Sequence, residues 1–197
     1  MARAIHVVVF DGFADWEPAH ALAELRRWGK REVRSVGFTT APVVSMGGLR
    51  VTPDVALGAV QSSDVELLLL PGGDMWQQGA YPIAELEALI HDLLKSETPV
   101  AAICAATLAL ARSGVLDGRR HTSNGRDYLA HYAPDFRSGA NYVDAMAVRD
   151  RRVITASGLG AIDFAREIFA ELAVFSPENE QLWFDMFKHN RFPATAL

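Results

Sequence analysis

The 197-residue chain is poor in cysteine: it has one, Cys104. A lone thiol excludes an internal disulfide and a multi-cysteine zinc site. It fits a reducing compartment, and a cytoplasmic location is the expectation. Long apolar runs are missing too. No stretch approaches the ~18 residues of a membrane span, and the N-terminal run through Phe10 meets Asp11 and Gly12 too early for a secretory signal. No membrane partner is expected. There is no basic excess either: the formal net charge is −5, which argues against a nucleic-acid surface. His20, His91, His131 and His189 are scattered without metal-ligand spacing, so neither a metal nor another cofactor is expected. Gly158-Leu159-Gly160 lacks the third glycine of a dinucleotide fingerprint. Internal repeats, low-complexity tracts and linkers are also absent, which predicts one domain over residues 1–197.

What remains is half hydrophobic and 22% charged, the balance of a globular domain with a sizeable core. Apolar strand-like runs alternate with helical patterns. Strands are predicted at residues 4–10, 32–38, 64–70, 100–103 and 120–123, with a pair at 142–148 and 152–156. A small hairpin is predicted around Met46-Gly47-Gly48. Helices are predicted at about 16–28, 83–95, from Cys104 to near Gly114, 126–132 and 161–175. In the first of these Asp15 is the N-cap, Ala19, Leu22, Ala23 and Leu25 share a face, and Gly29 is the stop. Ser176-Pro177-Glu178 opens a last helix with an apolar stripe of Leu182, Trp183, Met186 and Phe187. Strands that are apolar throughout and alternate with helices predict a parallel sheet covered on both faces, an α/β three-layer sandwich of flavodoxin-like type. Ligands bind such sheets beyond the carboxyl ends of the strands. Three informative turns fall at those ends: Asp11-Gly12 with Glu17, Pro71-Gly72-Gly73, and Cys104.

Cys104 follows the apolar run 100–103 and precedes small helix-forming residues. A thiol at a strand-to-helix turn feels the positive end of the helix dipole, and its pKa can fall. The alternative is an inert buried thiol. Glu17 reads, by spacing alone, as a solvated first-turn residue.

Five segments together resemble the DJ/PfpI family of the class I glutamine amidotransferase-like superfamily. Residues 10–18, Phe-Asp-Gly-Phe-Ala-Asp-Trp-Glu-Pro, look like its first-strand signature. Leu70-Pro71-Gly72-Gly73 resembles its oxyanion loop, and Ala102-Ile103-Cys104-Ala105-Ala106 its nucleophile elbow. Residues 115–123 resemble the segment after the elbow helix, and Thr155-Ala156-Ser157-Gly158 with Ile162-Asp163-Phe164-Ala165 the last strand and helix. The motifs run in family order over about residues 4–173.

The resemblance implies Cys104 as nucleophile and Glu17 as its partner carboxyl. It implies the amides of Gly72, Gly73 and Ala105 as donors to an oxyanion or an oxidised sulfur. Glu17 is expected to be protonated when the thiolate forms, or to act as general acid/base. Candidate pocket residues are Asp15, His121, Asn124 and Gly158, and Trp16, Met75 and Trp76 are candidates to roof an apolar pocket. The PfpI pattern puts His directly after the cysteine, where this chain has Ala105. Asn124 stands where the isocyanide hydratase-like pattern has His, with His121 three residues earlier. The Cys followed by a Gly-rich elbow and a distant His-x-Glu pair of true amidotransferases are missing. The reading is a cysteine-dependent enzyme on a small electrophile, by hydrolysis, hydration or glyoxalase-like chemistry. The alternatives are a redox-sensing protein that oxidises Cys104, and a protease-like protein with a lost triad. The resemblance implies a homodimer, and the reading a small-molecule substrate.

Overall fold

The computed structural model describes residues 3–193, so the expected domain of 1–197 runs past the described residues at both ends. The strands are β1 (Ala4–Val8), β2 (Val33–Gly37), β3 (Val43–Val44), β4 (Arg50–Val51), β5 (Val55–Ala56), β6 (Val65–Leu70), β7 (Val100–Ile103), β8 (Ala147–Asp150) and β9 (Val153–Ala156). The α-helices are α1 (Trp16–Arg27), α2 (Met75–Gln78), α3 (Ile83–Lys95), α4 (Thr107–Arg112), α5 (Arg126–Tyr132), α6 (Ala161–Glu171) and α7 (Pro177–His189). Seven strands form one sheet in the order β5-β2-β1-β6-β7-β9-β8, and β3 and β4 pair separately as the expected hairpin. All neighbours in the large sheet are parallel except β8, which is antiparallel to β9.

Strict alternation along the central strands divides the core in two. Val8, Leu68, Leu70, Val100 and Ala102 face α3 and α4, where Leu86, Ile90, Leu93 and Leu108 meet them. Ile5, Val7, Leu67, Leu69, Ala101 and Ile103 face α1, α6 and α7, through Ala21, Leu25, Phe164, Ile168, Phe169 and Trp183. A strand whose every side chain is buried needs a helix on each face, and this fold supplies them. The strand order reverses between β1 and β6. That reversal opens a crevice at the carboxyl ends of β1, β6 and β7, the usual ligand position in open parallel sheets.

Several sequence expectations are corrected. The inner face of α1 carries Glu17, Pro18, Ala21, Glu24 and Leu25, whereas Ala19 and Ala23 are exposed. Of the expected face, Leu25 is in the core and Leu22 packs against it; the buried stripe runs on through two carboxylates that apolar spacing does not mark. Asp15 makes no side-chain cap bond. Residues 120–123 form no strand and carry only an isolated bridge, His121 to Tyr142. The strand expected from 142 begins at Ala147. The helix expected over 161–175 ends at Glu171. The short elements β5 and α2 carry too few residues to show a period. The Ser176 cap is as expected: its Oγ accepts the Asn179 N–H at 3.3 Å, with Pro177 in the first turn. Among the described residues no helix is long and apolar enough to cross a membrane.

Candidate active site

Cys104 ends the run of β7 at a backbone φ of +60°, a left-handed conformation that a side-chain-bearing residue adopts only under constraint. Ile103 before it is extended, and Cys104–Ala106 form a 3-10 turn that leads into α4. The reversal from extended to left-handed to helical within three residues lifts the thiol out of the sheet edge into the crevice. This is the nucleophile-elbow geometry. The Thr107 hydroxyl braces the turn, donating to the Cys104 carbonyl at 2.7 Å while lying 2.7 Å from Ser123 Oγ.

Glu17 comes to the same point from the first turn of α1 and is 1% exposed. Its Oε2 accepts the Gly72 N–H at 2.5 Å, and its carboxyl adjoins the Cys104 thiol: a Cβ built on Gly158 would stand 2.9 Å from Sγ and 3.3 Å from Glu17 Oε1. The loop that carries Gly72 is pinned on both sides. The Ala14 N–H donates to the Gly72 carbonyl at 3.0 Å, and the buried Trp76 indole donates to the Pro71 carbonyl at 2.8 Å. Glycine at 72 is a spatial requirement. A Cβ there would stand 2.7 Å from Glu17 Oε2 and 2.8 Å from Cys104 Cβ. Gly73 lies over the Phe10 ring, where a Cβ would meet Cε2 at 2.6 Å.

Asn124 closes the group from the opposite side. Its Nδ2 donates to Cys104 Sγ at 3.2 Å and its Oδ1 accepts the Gly158 N–H at 2.9 Å. The Gly158 amide can only donate, so it fixes which end of the Asn124 side chain meets the sulfur. Gly158 itself lies against the thiol. We expect Gly158→Ala to slow alkylation of Cys104 by on the order of tenfold, because its Cβ forces the sulfur off its position. That Cβ would stand 2.9 Å from Sγ and 3.1 Å from Cys104 Cβ. Iodoacetamide kinetics on the single thiol measure this, and an unchanged rate would contradict the packing argument.

The charges of the pair are linked. Burial pushes the Glu17 carboxyl above its usual range, opposed by the hydrogen bonds from Gly72 and Cys104. Burial, and then the Glu17 charge, push the Cys104 thiol up to about 11, against the Asn124 and Ala105 donors. The pull of the helix N-terminus on the thiol is thus outweighed. Desolvation and a neighbouring carboxylate outweigh a one-turn 3-10 element and its amide. Glu17 loses its proton first, and its charge then holds the proton on sulfur. The site carries one proton between two groups.

This pair has a consequence for stability. A carboxyl with a folded pKa raised above its unfolded one stabilises the fold below the unfolded value, and that contribution is lost as pH rises through the folded value. Glu17→Gln keeps the Gly72 contact and removes the titration. It is expected to melt at a higher temperature than the parent at pH 7.5, with the gap shrinking at pH 4. Thermal melts at the two pH values check this, and a gap that widens on acidification would reverse the sign.

A cleft of about 400 Å³ opens over the sulfur, lined by Trp16, Glu17, Cys104, Asn124, Ser157, Gly158 and Leu159. Its mouth is apolar, with Trp16 50% and Leu159 86% exposed. Cys104, Glu17, Gly72, Ala105, Asn124 and Gly158 therefore come together. The Gly72 N–H is given to Glu17, not left free for an oxyanion. Trp16 walls the cleft, but Trp76 is core and Met75 packs against it.

Two other expected pocket residues are elsewhere. Asp15 turns to the hairpin, accepting the Ser45 hydroxyl at 2.5 Å and the Gly47 N–H at 3.2 Å. His121 is 0% exposed, with Nδ1 2.8 Å from the Arg119 carbonyl and its ring against Phe136 and Tyr142. Burial pushes its pKa down, so it is a neutral core histidine. Among the described residues no cluster of His, Cys, Asp or Glu is arranged to hold a metal ion.

A mostly parallel α/β sheet with a cysteine at a left-handed strand-to-helix turn, beside a buried carboxyl at the strand-order reversal, defines an α/β sandwich of the kind that carries a cysteine elbow. A family model described as the DJ-1/PfpI family matches residues 3–171. The uncharacterized protease YoaZ of Bacillus subtilis is 35% identical over 194 residues, covering 94% of this chain and 91% of that protein. The glutathione-independent glyoxalase DJR-1.2 of Caenorhabditis elegans is 32% identical over 152 residues, covering 73% of this chain and 75% of that protein. The crystal structure of the DJ-1 superfamily protein Atu0886 from Agrobacterium tumefaciens superposes with a TM-score of 0.87 at 37% identity, covering 97% of this chain and all of that one. The chain belongs to the DJ-1/PfpI family.

Proposed function

We propose that this protein is a cysteine-dependent enzyme acting on small electrophilic carbonyl compounds, with glyoxalase-like conversion of a 2-oxoaldehyde to a 2-hydroxy acid as the reaction. The observation that carries the reading is the buried Glu17 carboxyl beside the Cys104 thiol at the floor of a small cleft with an apolar mouth. A neutral thiol beside its own base adds to an aldehyde in one step. The sulfur forms a bond to the aldehyde carbon while the thiol proton passes to Glu17 and on to the carbonyl oxygen, giving a hemithioacetal. Glu17 then moves the carbon-bound proton to the neighbouring carbonyl carbon, while the hydroxyl proton of the first carbon passes to the oxygen of the second. The first carbon is thereby oxidised to a thioester as the second is reduced to an alcohol. Water hydrolyses the resulting thioester, releasing the 2-hydroxy acid and the thiol. No external oxidant or reductant is needed.

The name of DJR-1.2 supports this chemistry, and that of YoaZ suggests peptide hydrolysis instead. The cleft favours the former. Cleaving an amide calls for a second proton donor to the leaving amine, and the residues that line this cleft include no histidine. A thiol at about 11 is also mostly protonated at neutral pH, which disfavours peroxide sensing as the main role.

The test is lactate formation from methylglyoxal by the protein, before and after its one cysteine is alkylated with iodoacetamide. Lactate lost on alkylation is the expected result. No lactate above the buffer rate would overturn the reading.

A further inference from the structure

The cleft over Cys104 has two apolar walls that the chemistry at the sulfur leaves unused. Trp16 and Leu159 both line it, the first half-exposed and the second almost wholly so. Exposed apolar side chains at the rim of a cleft mark a surface that a ligand covers. Both stand on fixed backbone. The neighbours of Trp16 are anchored, Asp15 by the Ser45 hydroxyl and the Gly47 N–H, Glu17 by the Gly72 N–H. Leu159 lies in a loop whose four backbone N–H groups are all engaged. Ser157 donates to the Met146 carbonyl at 2.9 Å and Gly158 to Asn124 Oδ1 at 2.9 Å. Leu159 donates to Ser157 Oγ at 3.4 Å and Gly160 to the Ser157 carbonyl at 2.8 Å. A wall already in place costs little ordering when a ligand meets it.

The other lining residues are Glu17, Cys104, Asn124, Ser157 and Gly158, and none carries a positive charge. An anionic substituent would meet the Glu17 carboxyl with no cation to offset it. Methylglyoxal offers a single methyl group to a cleft of about 400 Å³, a size that takes larger ligands.

We propose that Trp16 and Leu159 are specificity residues that select electrophiles carrying a bulky apolar substituent, an aryl or branched alkyl group, over those carrying a methyl group. The inference deepens the reading of the cleft as a site for small carbonyl compounds and rests on it. The reactive carbon meets the sulfur, and the substituent lies against the indole and the leucine, where both lose exposed apolar area.

The experiment compares matched electrophiles on the single thiol. Labelling of Cys104 by N-methylmaleimide and by N-phenylmaleimide is timed in the parent, Trp16→Ala and Leu159→Ser. Each rate is divided by that of free glutathione, which removes the intrinsic reactivity of the reagent. A preference for phenyl over methyl of about tenfold is expected in the parent, the low end of what an apolar contact contributes in a pocket. Most of that preference is expected to vanish in Trp16→Ala, and about half of it in Leu159→Ser. Turnover of phenylglyoxal and methylglyoxal is expected to show the same order in kcat/KM. A preference near one in the parent, or one unchanged in both variants, would overturn the proposal. So would a second copy of the chain covering the patch: Trp16→Ala would then change the mass in light scattering and leave the preference as it was. Leu159→Ser, altered almost wholly in solvent, keeps the test readable if Trp16→Ala fails to fold. Labelling needs no turnover. Absent 2-hydroxy acid with an intact preference overturns the glyoxalase reaction alone, and product without the preference overturns the specificity alone.

Discussion

Cys104→Ser is expected to lose methylglyoxal turnover by on the order of 10⁴-fold or more, as removal of a covalent nucleophile does elsewhere. The size of the effect follows from the surroundings of the sulfur. Glu17 is the residue placed to accept its proton, and it is a carboxyl whose pKa is raised only by burial, with Gly72 and Cys104 opposing. Such a base is nearer in acidity to a thiol than to an alcohol. It cannot take a proton from a serine hydroxyl, which lies far above. The shorter C–O bond also draws the nucleophilic atom back from the cleft. The variant should fold, because Ser fits the space and Thr107 still braces the Cys104 carbonyl position. Rates of lactate formation, with a melting curve as control, decide it. Turnover within tenfold of the parent would place the chemistry elsewhere.

Glu17→Gln is expected to separate two properties that usually travel together. The Glu17 charge is the second cause, after burial, of the raised thiol pKa. Removing that charge lets the thiol midpoint fall from about 11, so alkylation near neutral pH should become faster. Turnover should fall nonetheless, by roughly 10²–10⁴-fold, the usual contribution of a positioned acid/base group. The amide keeps the Gly72 N–H contact but can neither accept the thiol proton nor return it. The expected outcome is a more reactive cysteine in a nearly inactive enzyme. Slower alkylation in the variant would show that Glu17 acts as a hydrogen-bond donor to a resting thiolate instead.

The layered α/β architecture was legible because strands buried on both faces leave continuous apolar runs, such as 65–70, and glycine turns mark their ends. The cluster of Cys104, Glu17 and Gly72 was reachable from the motif order. Other features were hidden for identifiable reasons. The face of α1 was legible only at Leu22 and Leu25, because its buried stripe includes Glu17 and Glu24, and spacing of apolar residues has no way to include a buried carboxyl. Asp15 has the composition of a cap, yet its carboxylate is taken by Ser45 and Gly47, thirty residues away or more. His121 has the right chemistry at nearly the right place. An isolated bridge to Tyr142 turns it into the core. The rise of the thiol pKa was hidden because the helix-dipole argument contains no burial. Leu159 joins Trp16 at the cleft through tertiary packing, which no local pattern records.

The left-handed backbone at Cys104 sets stability and activity against each other. Glycine enters φ near +60° freely, whereas a residue with a Cβ is held there at about 1–3 kcal/mol by the structure around it. A chain selected for thermal endurance alone would therefore drift toward glycine at 104, and toward an inert protein. Cysteine at that position is a residue the fold tolerates rather than prefers. The neighbouring Gly72 and Gly158, which leave room for it, bear part of the same compromise: each gives up the chain stiffness a side chain would bring so that a strained thiol can stand at the floor of the cleft.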